Sequence, residues 1–115
     1  KGAEICCLKI SNLGGLSKAR RVRDFLVENR IPVVSEDTWG GEITSAAVAH
    51  FAASTPKDYL INSTDLMNYN TRSTGIGGPS TEGGKLYAGD APGLCVTPDF
   101  DSLGDPIADY AQQEA

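Results

Sequence analysis

Glu4-Ile5-Cys6-Cys7-Leu8-Lys9-Ile10-Ser11-Asn12-Leu13-Gly14-Gly15 is the stretch that decides how this chain folds. Residues 4–10 read as a short, mostly apolar strand. The glycine pair then turns the chain into an amphipathic helix over about 16–29, with Leu16, Ala19, Val22, Phe25 and Leu26 as its apolar stripe. Ser17 lies near the start of that helix, and Asn29-Arg30 with Pro32 marks its end. One residue does not belong to a packing pattern. Lys9 carries an ammonium in an apolar strand, where desolvation disfavours the charged form and pushes the pKa down toward the range of a proton acceptor. Read for packing alone, it is a lysine whose stem snorkels at a strand edge.

The pattern repeats downstream. Pro32-Val33-Val34-Ser35-Glu36-Asp37 reads as a second strand, and Thr38-Trp39-Gly40-Gly41 turns into a second helix over about 42–54. After Pro56 comes a third strand, Tyr59 to Asp65. Strands separated by helices of this length predict βαβ crossovers and a parallel sheet. In such a sheet Ile5, Cys7 and Lys9 share one face, while Cys6, Leu8 and Ile10 share the other. The same alternation puts Ser35 with Asp37, and Ser63 with Asp65. If the sheet belongs to a parallel barrel, strand carboxyl ends face the active site, and here they are Lys9, Asp37 and Asp65. Taken singly, either aspartate serves equally as a helix cap or turn former.

From about residue 69 the periodicity stops, and glycines at 75, 77, 78, 83 and 84 mark a long irregular stretch, with a short strand expected at Lys85-Leu86-Tyr87. Residues 103–115 are too polar to assign. So long a stretch is unusual in a self-sufficient domain, and two helices cannot cover both faces of a parallel sheet. The chain is therefore expected to be the C-terminal portion of a larger α/β fold. Its division is expected to be 1–68 as partial barrel and 69–115 as an irregular segment packed on the rest of the enzyme.

Composition bounds the partners. The 115 residues carry a formal net charge of −5, which argues against a nucleic-acid or anionic-membrane surface. Lys18, Arg20, Arg21 and Arg23 cluster on the first helix beside Asp24 and Glu28, the pattern of a solvated face. No apolar run approaches the roughly 20 residues of a membrane span, and no signal peptide is visible. Cys6, Cys7 and Cys95 have no metal-ligand spacing and read as reduced packing residues of a cytoplasmic protein. His50, among alanines, reads as a packing residue. Gly40-Gly41 before a helix offers backbone N–H groups to an anion, so a non-catalytic α/β ligand-binding module is the rival reading.

Leu8-Lys9-Ile10 with Gly14-Gly15, then Glu36-Asp37-Thr38-Trp39-Gly40-Gly41, resemble the C-terminal part of the enolase superfamily. Asp65-Leu66 and Ala91-Pro92-Gly93-Leu94 extend the likeness over nearly the whole chain. The lysine is similar to that of the muconate-lactonizing-enzyme type within the mandelate racemase/muconate lactonizing enzyme group. Asp37-Thr38-Trp39-Gly40-Gly41 and Ser63-Thr64-Asp65-Leu66-Met67-Asn68-Tyr69-Asn70 most resemble the cis-3-hydroxy-L-proline dehydratases and hydroxyproline-betaine epimerases.

The resemblance implies the sixth to eighth strands of a (β/α)7β TIM-like barrel in a homo-oligomeric enzyme that takes the proton alpha to a carboxylate. Removing that proton builds a second negative charge, which magnesium spreads over the oxygens while a lysine of lowered pKa accepts the proton. Lys9 is then one acid/base group, facing a second lysine on an earlier strand. Asp37, Thr38, Trp39 and Asp65 would bind substrate, a proline derivative. The metal ligands and the second lysine are expected outside these residues, so the chain alone is expected neither to close the barrel nor to hold magnesium. A hydro-lyase acting on cis-3-hydroxy-L-proline is the leading expectation, and a racemase or epimerase of proline or hydroxyproline betaine the alternative. Two departures stand out. Met67 replaces the second acid of the Asp-x-Asp pair of dipeptide epimerases, and Cys95 replaces a glycine.

Overall fold

A computed structural model describes residues 2–109; Lys1 and 110–115, the ends of the two expected segments, lie outside the described residues. Three parallel strands, β1 (Cys6–Lys9), β2 (Val33–Glu36) and β3 (Leu60–Ser63), form a sheet in the order β1-β2-β3. A one-turn helix α1 (Ile10–Leu13) leads into α2 (Leu16–Glu28) before β2, and α3 (Glu42–Ala53) connects β2 to β3. Gly14 closes α1 in a left-handed conformation, φ 80°, that a side chain would strain. Helix α2 ends where the Asn29 side chain donates to the Phe25 carbonyl, at 2.8 Å.

The core lies between one face of the sheet and the two longer helices: Leu8, Ile10, Ala19, Leu26, Val33, Val48 and Phe51. Alanines at 46, 49 and 52 are buried and let α3 approach the strands closely. Ser35, fully buried beneath it, donates to the Val48 carbonyl at 3.2 Å. The predicted alternation of β1 therefore holds, with Leu8 and Ile10 covered. The stripe of α2 is revised: Phe25 is exposed and Arg23 is buried in the packed face. Burying a guanidinium is tolerable only with partners, and Arg23 has them. It donates to Asp24 at 2.7 Å and to the Ser54 carbonyl and hydroxyl, and it lies 5.4 Å from the centre of the Phe51 ring. Cys7 is likewise exposed rather than packed, and the three thiols are free.

Beyond a 3-10 turn at Leu66–Tyr69, the expected irregular stretch contains more order than its composition announces. Strand β4 (Gly75–Gly77) pairs antiparallel with β7 (Val96–Pro98), and β5 (Ser80–Glu82) pairs with β6 (Lys85–Tyr87) around the Gly83-Gly84 turn. A short helix α4 (Phe100–Leu103) is capped by Asp99. Strands β4, β6 and β7 pack on α3 of this same chain. Three-residue strands leave no periodicity to read. Cys95 sits at φ 59°, the left-handed geometry its expected glycine would favour. Among the described residues, no helix is long and apolar enough to cross a membrane.

Candidate active site

In-register parallel pairing sets Lys9 directly opposite Glu36, and Cys7 opposite Val34. All four point to the face of the sheet that no helix covers among the described residues. There the Lys9 ammonium meets a Glu36 carboxylate oxygen at 2.8 Å. The bond to Glu36 raises the Lys9 pKa above the ordinary lysine value, outweighing the lowering from desolvation. That corrects the expectation of a depressed lysine: its side chain is 36% exposed here and has a carboxylate partner. The same bond, with help from Cys7, holds Glu36 below the usual carboxylate range.

Asp37 and Ser35 lie on the opposite, helix-covered side, so their shared face is not the open one. The Asp37 carboxylate accepts from the backbone N–H of Ser11 at 3.2 Å, from the Ser11 hydroxyl, and from the N–H of Thr38 at 2.7 Å. It thus ties the end of β2 to the first turn of α1. The Thr38 hydroxyl lies 3.2 Å from that of Ser11. Trp39 is 61% exposed and tilts against Tyr69, with ring centres 5.7 Å apart.

Strand β3 carries a bulge that resets its alternation. Val33 pairs with Leu60 and Val34 with Asn62, so Ile61 is the extra residue and Ser63 returns to the side of Ser35. Asp65, just past the strand, accepts from Asn68 at 2.6 Å and from Thr81 of β5 at 2.9 Å. This anchors the β5–β6 hairpin beside a cleft of about 700 Å³ along β3, lined by Ile61, Asn62, Ser63, Lys85 and Tyr87 among others.

The structure therefore brings Lys9 together with Glu36, and places Asp37 with Ser11 and Asp65 with Thr81. Glu36 was missed as the partner of Lys9 because the sequence does not display register. Alternation put it on the face away from Asp37, and only in-register pairing with β1 makes it the neighbour of Lys9. The glycine pair offers less to an anion than expected, because Glu42 already occupies the first turn of α3. Burial would raise its pKa, but N–H groups of Thr74 and of Glu42 itself and the hydroxyls of Ser73 and Thr74 lower it overall.

The model of the enolase C-terminal domain-like family matches residues 1–102. This chain belongs to that family. A cis-3-hydroxy-L-proline dehydratase of Roseibium aggregatum is 46% identical over 104 residues, covering 90% of this chain and 28% of that protein. The crystal structure of a mandelate racemase/muconate lactonizing enzyme from Roseovarius nubinhibens ISM is 79% identical, with a TM-score of 0.90, over 93% of this chain and 29% of the other. A third relative, an enolase-superfamily member from Roseovarius nubinhibens ISM complexed with magnesium, is 34% identical with a TM-score of 0.86, over 92% of this chain and 29% of that one.

The chain thus spans less than a third of the length of these relatives. Within the enolase C-terminal domain-like family, its parallel sheet is the C-terminal portion of a TIM-like barrel. Among the described residues, no three His, Cys, Asp or Glu side chains gather as a metal site. Glu36, Asp37 and Asp65 are each taken up by donors of this chain, so these residues alone do not fit a magnesium ion.

Proposed function

We propose that this chain is part of a lyase that removes the proton alpha to a carboxylate and eliminates water from cis-3-hydroxy-L-proline. The observation carrying this reading is the Lys9–Glu36 pair at the carboxyl ends of β1 and β2, on the uncovered face of a chain similar to a dehydratase of that substrate. Lys9 is the acid/base group. As a base it must reach the substrate without its proton, and in the chain as described Glu36 works against that. A second cationic group brought opposite it by the remainder of the polypeptide would release Lys9 from Glu36 and lower its proton affinity. Glu36 then faces the ring nitrogen of the bound amino acid, a cation that can replace the lysine as its partner.

In this reading Asp37 and Thr38 hold the β2 end against α1, while Trp39 and Asp65 border the substrate. Magnesium, with ligands supplied from outside these residues, would stabilise the second negative charge on the substrate carboxylate. Three free thiols support a cytoplasmic enzyme, and the family likeness supports a homo-oligomer.

A second reading is favoured by the 79% identical structure, which carries a racemase and lactonizing-enzyme name. An epimerase shares the first step and returns the proton to the other face. Incubating the full-length enzyme with cis-3-hydroxy-L-proline in deuterium oxide separates the two. A cyclic imine product supports the dehydratase. Exchange and inversion without imine support the epimerase, and neither outcome on any proline derivative overturns both.

A further inference from the structure

Ser11, just past Lys9, and Thr38, just past Glu36, meet across the carboxyl ends of β1 and β2. The Asp37 carboxylate lies behind them. It is only 8% exposed, accepts from the Ser11 N–H at 3.2 Å and from the Thr38 N–H at 2.7 Å, and takes the proton of the Ser11 hydroxyl. The hydroxyls of Ser11 and Thr38 are 3.2 Å apart. Both of these residues are exposed, so this short chain of polar groups starts at a buried carboxylate and ends at the surface.

Counting protons gives the chain a direction. A carboxylate only accepts, and a serine has one O–H to give. Asp37 takes that proton, so in the contact with Thr38 the Ser11 oxygen accepts and the Thr38 hydroxyl donates. The Thr38 oxygen then has a lone pair to offer and no proton. An exposed group in that state binds an N–H or O–H donor and discriminates against a ligand that presents only methyl groups or acceptors.

We infer that Thr38 determines specificity by accepting an N–H from the ring nitrogen of the substrate, and that Ser11 is the positioning residue that fixes Thr38 as an acceptor. The inference deepens the proposed function and rests on its placing of the substrate at these strand ends. There Glu36 and Thr38 divide the recognition of the nitrogen. Glu36 attracts any ring cation, because Coulomb attraction needs only charge. Thr38 separates a ring ammonium, which carries N–H groups, from the quaternary nitrogen of a betaine, which has none.

Calorimetric binding of L-proline and of L-proline betaine to the magnesium-loaded full-length enzyme tests this, since neither ligand carries the hydroxyl that elimination expels. Thr38→Val keeps the shape and removes the oxygen. It should weaken L-proline about 10-fold and leave the betaine within about 2-fold. Thr38→Ser should keep both affinities. Ser11→Ala should weaken L-proline about 3-fold, again sparing the betaine, and Ser11→Thr, which keeps the hydroxyl, should restore it. Lost packing would move both ligands together, so an equal change in both, or none, in Thr38→Val overturns the specificity role. An unchanged ratio of the two affinities in Ser11→Ala overturns the positioning role. Absence of both imine and exchange with cis-3-hydroxy-L-proline would instead overturn the proposed function, and the ratio of the two affinities still decides this inference.

Discussion

The two faces of the β1–β2–β3 sheet are built from adjacent residues and made for opposite purposes. One face carries Leu8, Val33 and Ser35, all but sealed under α2 and α3. The other carries Cys7, Lys9, Val34 and Glu36, and among the described residues no helix lies over it. Alternation at a period of two lets four-residue strands serve both, so stability and chemistry can be assigned to different side chains one position apart. Substitutions on the covered face should unfold the protein, and those on the open face should silence it.

The largest effect on stability is expected at the middle of the covered face. Phe51 is 3% exposed, packs in the core and supports the Arg23 guanidinium. Phe51→Ala should cost about 3–5 kcal/mol, measured by urea unfolding, since it leaves a cavity and a less well supported buried cation. A loss under about 1 kcal/mol would show that this face is not the load-carrying one.

Next comes Asp37, which lies on the covered side. Asp37→Ala strands the Ser11 and Thr38 N–H groups and should cost about 1–3 kcal/mol. If Asp37→Asn recovers the stability and also the turnover of the full-length enzyme, the carboxylate is a tie between β2 and α1. If stability returns without turnover, Asp37 also serves substrate, as its place in the sequence motif implies.

Much of this contrast was legible before any coordinates. The run from Glu4 to Gly15 gives a strand whose alternation places Lys9 away from Leu8 and Ile10, and both longer helices end within a residue of where composition puts them. What was not legible depends on residues far apart in the chain. Glu36 becomes the neighbour of Lys9 through pairing across 27 positions, and Arg23 is buried because Phe51 of α3 and Ser54 just past its end meet it. Ile61 resets the alternation of β3 through a bulge that no local propensity announces. The strands of 75–98 are three residues long, below the length at which a period can be recognised.

A smaller effect is expected where the late segment meets the covered half. Glu42 accepts from the Thr74 N–H at 2.9 Å and from its hydroxyl at 3.0 Å, fastening β4 to the start of α3. Glu42→Ala should cost about 1–2 kcal/mol and raise protease sensitivity near Thr74. Because the folded-state pKa of Glu42 lies below the ordinary glutamate value, its contribution is present above that value and is lost as pH falls through the folded one. Stability should therefore decline on the acid side of the ordinary glutamate range, and Glu42→Gln should flatten that decline.

The smallest change in stability is expected at Lys9, where the contrast is sharpest. Its bond with Glu36 raises the lysine's pKa, so any stabilisation is present below the ordinary lysine value and lost as pH rises through the folded one. The pair is open to solvent, and such pairs contribute little. Lys9→Met keeps the apolar stem and should leave the unfolding midpoint nearly unchanged at neutral pH. The same change should lower turnover of the full-length enzyme by about 100-fold or more, as loss of a proton-transferring group does. A Lys9→Met protein that unfolds easily yet still turns over would reverse the assignment of the two faces, because the lysine would then be holding the strand ends together. The expected result, a protein as stable as before and catalytically silent, is possible only if the charge on this strand was never part of the packing.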